Sequence, residues 1–340
     1  VTQILLVLAS VFCASIPMFF FLLTVWWLDR YDREPVWLVG LTFLWGAVGA
    51  VGLAIVGSLV LMVPLNMVLS SQWASSAGAV FIAPLVEEPM KAAILLLVML
   101  SRHFDNTTDG FVYGAAAGLG FGMTENFLYF TGVAMSGSVI AWCLTVVIRT
   151  FFSAVMHAVA TSIVGACLGA AKFRPFYFKI LLVPLGLAVA MTVHGIWNGL
   201  LTADDLMRAG GALAGLDLLL FPLEFIVVFV VFQICLLDEH YTIKRELTEE
   251  ARMGTIPLEH VKHLASYFRR GFRFWHSRQI PHGAYIKAAT RLALRRHQSR
   301  YAGSWSRPFY TQEVERWRAE IRRLLGPAAL RTYGVEPRRE

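Results

Sequence analysis

Long apolar runs separated by short polar stretches fill the first 238 residues. The runs lie at about 4–28, 36–63, 78–100, 110–132, 142–169, 178–201 and 214–237. Each holds the roughly 20 apolar residues that a helix needs to cross the hydrocarbon layer of a bilayer. The pattern predicts seven transmembrane helices. Stretches such as "GAVGAVGLAIVG" (46–57) and "GAAAGLGFG" (114–122) are rich in the small residues that let helices approach closely in a membrane. After Asp238 the pattern changes: 239–340 reads as polar, mostly helical sequence, with basic helices such as "YIKAATRLALRRHQSR". The expected fold is all-α, a polytopic membrane helix bundle over 1–238 followed by a helical tail over 239–340.

Composition fits this reading. Of 340 residues, 57% are hydrophobic and only 16% charged, with a mean hydropathy of +0.59, which excludes an ordinary soluble domain. Basic residues give the orientation. The connections at 29–35, 101–109 and 170–179 hold Arg30, Arg33, Arg102, Lys172, Arg174 and Lys179; those at 64–77, 133–141 and 202–213 hold only Arg208. By the positive-inside rule the first set is cytoplasmic, so the N-terminus is expected outside and the tail inside. The first run has no basic flank or small-residue cleavage site and is expected to be a span, not a leader. The tail carries 21 Lys+Arg against 10 Asp+Glu, more than the net charge of +7. Such a segment suits the neighbourhood of an anionic leaflet. It contains no recognisable nucleic-acid motif, and no nucleic-acid partner is expected. Cys13, Cys143, Cys167 and Cys235 all lie in apolar runs without a CxxC pair, which points to neither a disulfide nor a metal site.

The candidate chemistry lies where the hydrophobic pattern is broken. "FIAPLVEEPMKAAILLLVML" (81–100) carries Glu87, Glu88 and Lys91 in mid-span. The other ionisable residues within spans are Glu125, Arg149, His157, His194 and Glu224. A central charge in hydrocarbon costs about 2.5–3.5 kcal/mol or more, so each needs a reason. Glu87 and Lys91 stand four apart and Glu88 and Lys91 three apart, so one ammonium can face both carboxylates. His194 and Asn198 share the four-residue spacing. Counted along alternating spans, Glu87, Glu125 and His194 fall at similar depth in the outer half, and His157 can join them. Adjacent carboxylates can hand a proton to and from water. Glutamates and histidines from several helices can instead hold a divalent metal that activates water. Both routes lead to hydrolysis within the membrane. Two rivals stand beside this reading. Single residues, Arg149 and Glu224 above all, can be polar contacts between helices, and both are expected outside the cluster. Glutamate and histidine chains also serve proton- or ion-coupled transporters. Against transport, the cluster keeps to one depth and no matching pair of broken helices divides the chain into halves.

Four motifs, one per span and in order, carry a resemblance: "EEPMK" (87–91), "FGMTEN" (121–126), "HAVATSIVGA" (157–166) and "HGIWN" (194–198). With "DRYDREP" (29–35) after the first span, they resemble the PrsW family of intramembrane proteases over about residues 1–237. The resemblance implies a multi-pass peptidase of the bacterial cytoplasmic (inner) membrane. Its substrate would be a membrane-anchored protein cut near the outer side, with site-1 cleavage of an anti-sigma factor as the best-known role. Membrane lipids surround it. By position it implies Glu87, Glu88, Glu125, His157 and His194 as catalytic residues, with Lys91, Asn126 and Asn198 in support. It also implies a zinc set of Glu88, Glu125, His157 and His194, or a metal-free glutamate mechanism as argued for the distantly similar type II CAAX prenyl endopeptidases. Pro89 within the first motif removes a helix hydrogen bond and is expected to loosen the helix beside the glutamates.

Overall fold

The computed structural model describes residues 1–29, 31–207 and 212–332. Among them no strand occurs, and helices occupy all seven expected spans. They are α1 (Thr2–Leu28), α2 (Val36–Val68), α3 (71–98), α4 (Thr107–Ala134), α5 (Val139–Lys172), α6 (Phe176–Met207) and α7 (Ala212–Arg252). Five of the described helices are long and apolar enough by composition to cross a membrane. The other two, α3 and α4, carry the charged triplet and the glycine-dense run, which lower their hydropathy. The outward faces of α1 and α2 present Ile4, Phe12, Phe20, Val48 and Leu59. Such a surface fits hydrocarbon and not water. The molecule is an all-α polytopic membrane bundle.

The helix starts and interruptions are local chemistry. Asn106 and Asp109 form a reciprocal cap at the start of α4: Asp109 N donates to Asn106 Oδ1 at 3.0 Å, and Asn106 N donates to Asp109 Oδ2 at 3.1 Å. At the start of α5, Ala141 N donates to Ser138 Oγ at 3.3 Å. Three wide π-type turns interrupt the regular helix: Trp45–Ala50 in α2, Gly78–Ile82 in α3 and Arg149–Ser153 in α5. Each inserts about one extra residue into the helical repeat, a feature frequent at functional sites.

The chain divides into two compact units, 1–28 with 34–233, and 29–33 with 234–340. In the first, α4 is the central element and is buried along its whole first half. Glycine makes this possible where it meets α5. A Cβ added at Gly110 would lie 2.0 Å from Gly165 O, and one at Gly118 would lie 2.3 Å from His157 O. Any larger residue would force the two backbones apart.

The second unit contains the end of α7, then α8 (Leu258–Leu264), α9 (His282–Tyr301) and α10 (Arg307–Thr332). α7 runs without a break through position 238, so the change in composition there is not a change in secondary structure. Ile243, Leu247, Tyr285, Leu292 and Ile321 form its apolar core. Two buried glutamates on α7 tie the helices together. Glu246 faces Arg296 at 3.5 Å and Arg300 at 3.3 Å, and Glu250 faces Arg318 at 2.6 Å.

His260 is also buried here, with Nδ1 3.0 Å from the Tyr285 hydroxyl. Burial, aided by the nearby His276 and His263, pushes the His260 imidazole down from 6.5 to about 4. The folded unit therefore binds this proton less readily than the unfolded chain, and stability is lost as pH falls below 6.5. The loss at about pH 5 is on the order of 2 kcal/mol. Hydrogen exchange of the α9 amides in the full chain, corrected for intrinsic rates, is expected to show opening about 20-fold more frequent at about pH 5 than at about pH 7. His260→Gln should flatten that response.

Candidate active site

Four helices of the first unit bring their ionisable side chains to one point. α3 supplies Glu87, Glu88 and Lys91, α4 supplies Glu125, α5 supplies Arg149 and His157, and α6 supplies His194. Lys91 is the hub and is fully buried. Its Nζ lies 2.7 Å from Glu88 Oε1, 2.8 Å from His157 Nδ1 and 3.5 Å from Glu87 Oε2. The ammonium also sits 4.1 Å from the centre of the Phe121 ring. The two imidazoles meet edge to face with ring centres 5.0 Å apart.

The contacts fix the histidine tautomers. A lysine ammonium can only donate, so His157 Nδ1 accepts and Nε2 carries the proton. That Nε2–H donates to Glu125 Oε2 at 2.5 Å. His194 is set the other way: Nδ1–H donates to Glu88 Oε1 at 2.8 Å. The lone pair on His194 Nε2 is then directed towards Glu87, whose Oε2 is 3.9 Å away.

The three glutamates therefore have different surroundings. Glu88 is fully buried and engaged by Lys91, His194 and the Thr161 hydroxyl, which donates at 3.4 Å. Glu125 is held between His157 and Arg149, whose Nη2 lies 3.0 Å from Glu125 Oε1. Glu87 has a buried Oε2 with no hydrogen-bond partner, while its side chain is 16% exposed. Glu87 is thus the carboxylate still free to act.

Arg149 joins the cluster, contrary to expectation. Its Nε donates to Asn126 Oδ1 at 3.2 Å, Asn126 Nδ2 donates to Arg149 O at 3.3 Å, and the guanidinium stacks 3.6 Å from the centre of the Tyr129 ring. Arg149 and His157 stand eight residues apart, which in a regular α-helix separates two side chains by about 80°. The π turn Arg149–Ser153 absorbs one residue and brings them to within about 20° of one face. Asn198 turns its amide away from the cluster and donates to Ala79 O in the α3 π turn at 2.8 Å. The Glu224 side chain lies outside the described residues. Pro89 sits inside a continuous helix, and Trp45 Nε1 donates to the neighbouring Met90 O at 2.9 Å. Within 29–35, Glu34 accepts from the Tyr113 hydroxyl, twelve residues or about 18 Å along α4 from Glu125. That segment is not part of the cluster.

The donor set also fits a small divalent cation. Glu87, His157 and His194 each offer one ligand atom, and the three atoms lie within 4.8 Å of one another. This set differs from the expected one: Glu87 converges with the histidines, whereas Glu88 and Glu125 are taken up by Lys91 and Arg149. Beside the cluster runs an apolar groove of about 530 Å³ between α3 and α6, lined by Val80, Phe81, Pro84, Met191, Gly195 and Ile196.

Residues 34–235 match the family model described as PrsW family intramembrane metalloprotease. The chain belongs to the PrsW family. It is 31% identical over 180 residues to Protease PrsW of Bacillus subtilis (strain 168), covering 52% of this chain and 74% of the relative. Protease PrsW of Oceanobacillus iheyensis is 30% identical over 199 residues, covering 56% and 83%. Protease PrsW of Geobacillus kaustophilus is 27% identical over 192 residues, covering 52% and 72%. No solved structure matches. The PrsW match contains every residue of the cluster and stops before α8. This PrsW family member is a membrane-embedded protease acting on a membrane protein substrate.

The position of Lys91 has a measurable consequence. Removing one partner from a buried ion pair leaves an uncompensated charge, at a cost of about 3–5 kcal/mol. Lys91→Met is expected to destabilise the protein by that amount in thermal unfolding in detergent. Adding Glu88→Gln to it should recover part of the loss. Glu87→Gln, which removes no hydrogen bond from Oε2, should change stability by less than about 1 kcal/mol.

Proposed function

We propose that the chain hydrolyses a peptide bond of a membrane-anchored protein, with Glu87 as the base that activates water. Glu87 Oε2, which makes no hydrogen bond and lies 3.9 Å from His194 Nε2, carries this reading. One water molecule can donate to both atoms at about 2.8 Å, leaving its lone pair directed outwards. His194 is kept in the accepting tautomer by Glu88, and Glu88 is kept in place by Lys91 and Thr161. As water attacks the scissile carbonyl, its proton passes to Glu87 and from there to the leaving amine. The groove between α3 and α6 includes Gly195, next to His194 in the chain, and offers an apolar bed for an unwound stretch of substrate. The loop charges support a cut near the outer side of a bacterial inner membrane that the chain crosses several times. An anti-sigma factor is one substrate of that kind.

The convergence of Glu87, His157 and His194 favours a second reading, in which these residues hold a divalent ion such as zinc. Such an ion supplies Lewis-acid polarisation of water or of the scissile carbonyl. To hold such an ion His157 would give up its contact with Lys91 or Glu125, Glu87 would be a ligand, and Glu125, the more exposed of the other two glutamates, would be the carboxylate left to accept a proton.

Both readings are tested on the purified full chain in liposomes. Glu87→Gln is expected to lower cleavage by about 10²–10⁴-fold while the protein stays folded. Full activity in this variant would remove Glu87 from the mechanism. Metal analysis separates the two readings. Bound metal that falls away in Glu87→Gln and His194→Gln, with activity lost to a chelator, supports the second. Activity unchanged by chelation of metal-free protein supports the first.

A further inference from the structure

Residues 260–312 contain eleven lysines and arginines and no aspartate or glutamate. Within the second unit, several of these cations are answered by acids from elsewhere in the sequence: Arg291 pairs with Asp32 at 3.2 Å, and Arg296 and Arg300 pair with Glu246. The segment "FRRGFRF" (268–274) is different. It forms a loop with a single tight turn at Arg269–Gly271. Phe268, Phe272 and Phe274 are 80%, 56% and 79% exposed. Arg269, Arg273 and the following Arg278 are exposed too, with no acidic partner among the described residues. Phe272 and Phe274 sit side by side, ring centres 5.5 Å apart. Three exposed phenyl rings interleaved with unpaired guanidiniums make a poor water-facing surface. They suit the boundary between acyl chains and anionic headgroups.

The loop is also fixed close to that boundary. Ala265 O accepts from the Tyr31 hydroxyl at 3.0 Å and lies 2.8 Å from His240 Nδ1. The Arg270 guanidinium covers the Tyr31 ring at 4.5 Å, and Tyr267 meets the same ring edge on. Tyr31 follows Leu28, the last residue of apolar α1, by three positions; His240 follows Leu237, the end of the apolar run of α7, by three. Trp26 and Trp27 at the end of α1 mark the same level, where indoles collect at membrane surfaces. Both tethers of the loop are therefore within a few residues of where hydrophobic helices leave the membrane.

We propose that residues 268–274 form an interfacial anchor that inserts Phe268, Phe272 and Phe274 among the lipids and binds anionic headgroups through Arg269 and Arg273. The partner is an anionic lipid surface. The anchor holds the second unit against the leaflet from which Leu28 and Leu237 emerge, and it does not depend on which residue activates water.

The test uses the full chain in nanodiscs of phosphatidylcholine with or without phosphatidylglycerol. With the anionic lipid, hydrogen exchange over 266–275 should slow by at least about threefold, and concentrated salt should reverse much of that protection. A photoreactive phosphatidylglycerol should crosslink within 268–274. The double variant Arg269→Gln, Arg273→Gln should lower the crosslink yield several-fold while cleavage of substrate in detergent is retained; both side chains are exposed, so the fold is preserved. Equal exchange in the two lipid mixtures, or crosslinking that ignores the double variant, would overturn the proposal. Protection that appears only in native membranes and not in purified nanodiscs would overturn it in favour of a protein partner.

Discussion

A fully buried ammonium must be answered by negative charge or lone pairs at contact distance, and Lys91 meets that requirement with two glutamates of its own helix, α3, and with His157 of α5. The ammonium hydrogen-bonds Glu88 and His157 and lies 3.5 Å from Glu87; both glutamates move with α3, so a rotation or slide of α3 would cost Lys91 its contact with His157 of α5. The constraint propagates outward. His157 is held by Lys91 on one nitrogen and must give its proton to Glu125 on the other. Glu125 in turn takes Arg149, and Arg149 is locked by Asn126. The result is a line of polar contacts in which the tautomer of His157 follows from one lysine.

Such a line needs close backbones, because glutamate and histidine side chains are short relative to an ordinary helix–helix spacing of 8–10 Å. Glycine meets this need. Gly118 sits against the carbonyl of His157 itself, so the contact that brings α4 and α5 together lies about two turns along α4 from the contact between Glu125 and His157. The glycine-dense run of α4 and the ionic cluster are therefore one device. The first sets the distance that the second uses.

Much of this was legible in the sequence. Charges inside apolar runs mark the site because hydrocarbon makes them costly, and the three- and four-residue spacings correctly place Lys91 against both glutamates. Arg149 was not legible. Its distance from His157 points it off the cluster unless the helix is overwound or widened, and the π turn that corrects the register has no signature in "RTFFS". The difference between Glu87 and Glu88 was also hidden. Both face Lys91 by spacing, but which one remains open depends on His194 and Thr161 from helices far away in the chain. The end of α7 shows a third limit: composition marks where hydrocarbon gives way to water, whereas the helix continues on Glu246 and Glu250, whose partners lie in α9 and α10.

The charges of the cluster do not cancel. Glu87, Glu88 and Glu125 face Lys91 and Arg149, so with neutral imidazoles and ionised carboxylates one negative charge is left over. The surplus falls on Glu87, since Glu88 and Glu125 each have a close cation and Glu87 Oε2 has none nearer than 3.5 Å. An incompletely compensated carboxylate in a protein interior costs stability, and a fold that keeps one has placed its strain where a proton or a cation can relieve it. Water that gives its proton to Glu87 relieves it, and so does a divalent ion shared with the histidines. The same imbalance that makes Glu87 the least settled member of the cluster makes it the one with free energy to give to a reaction.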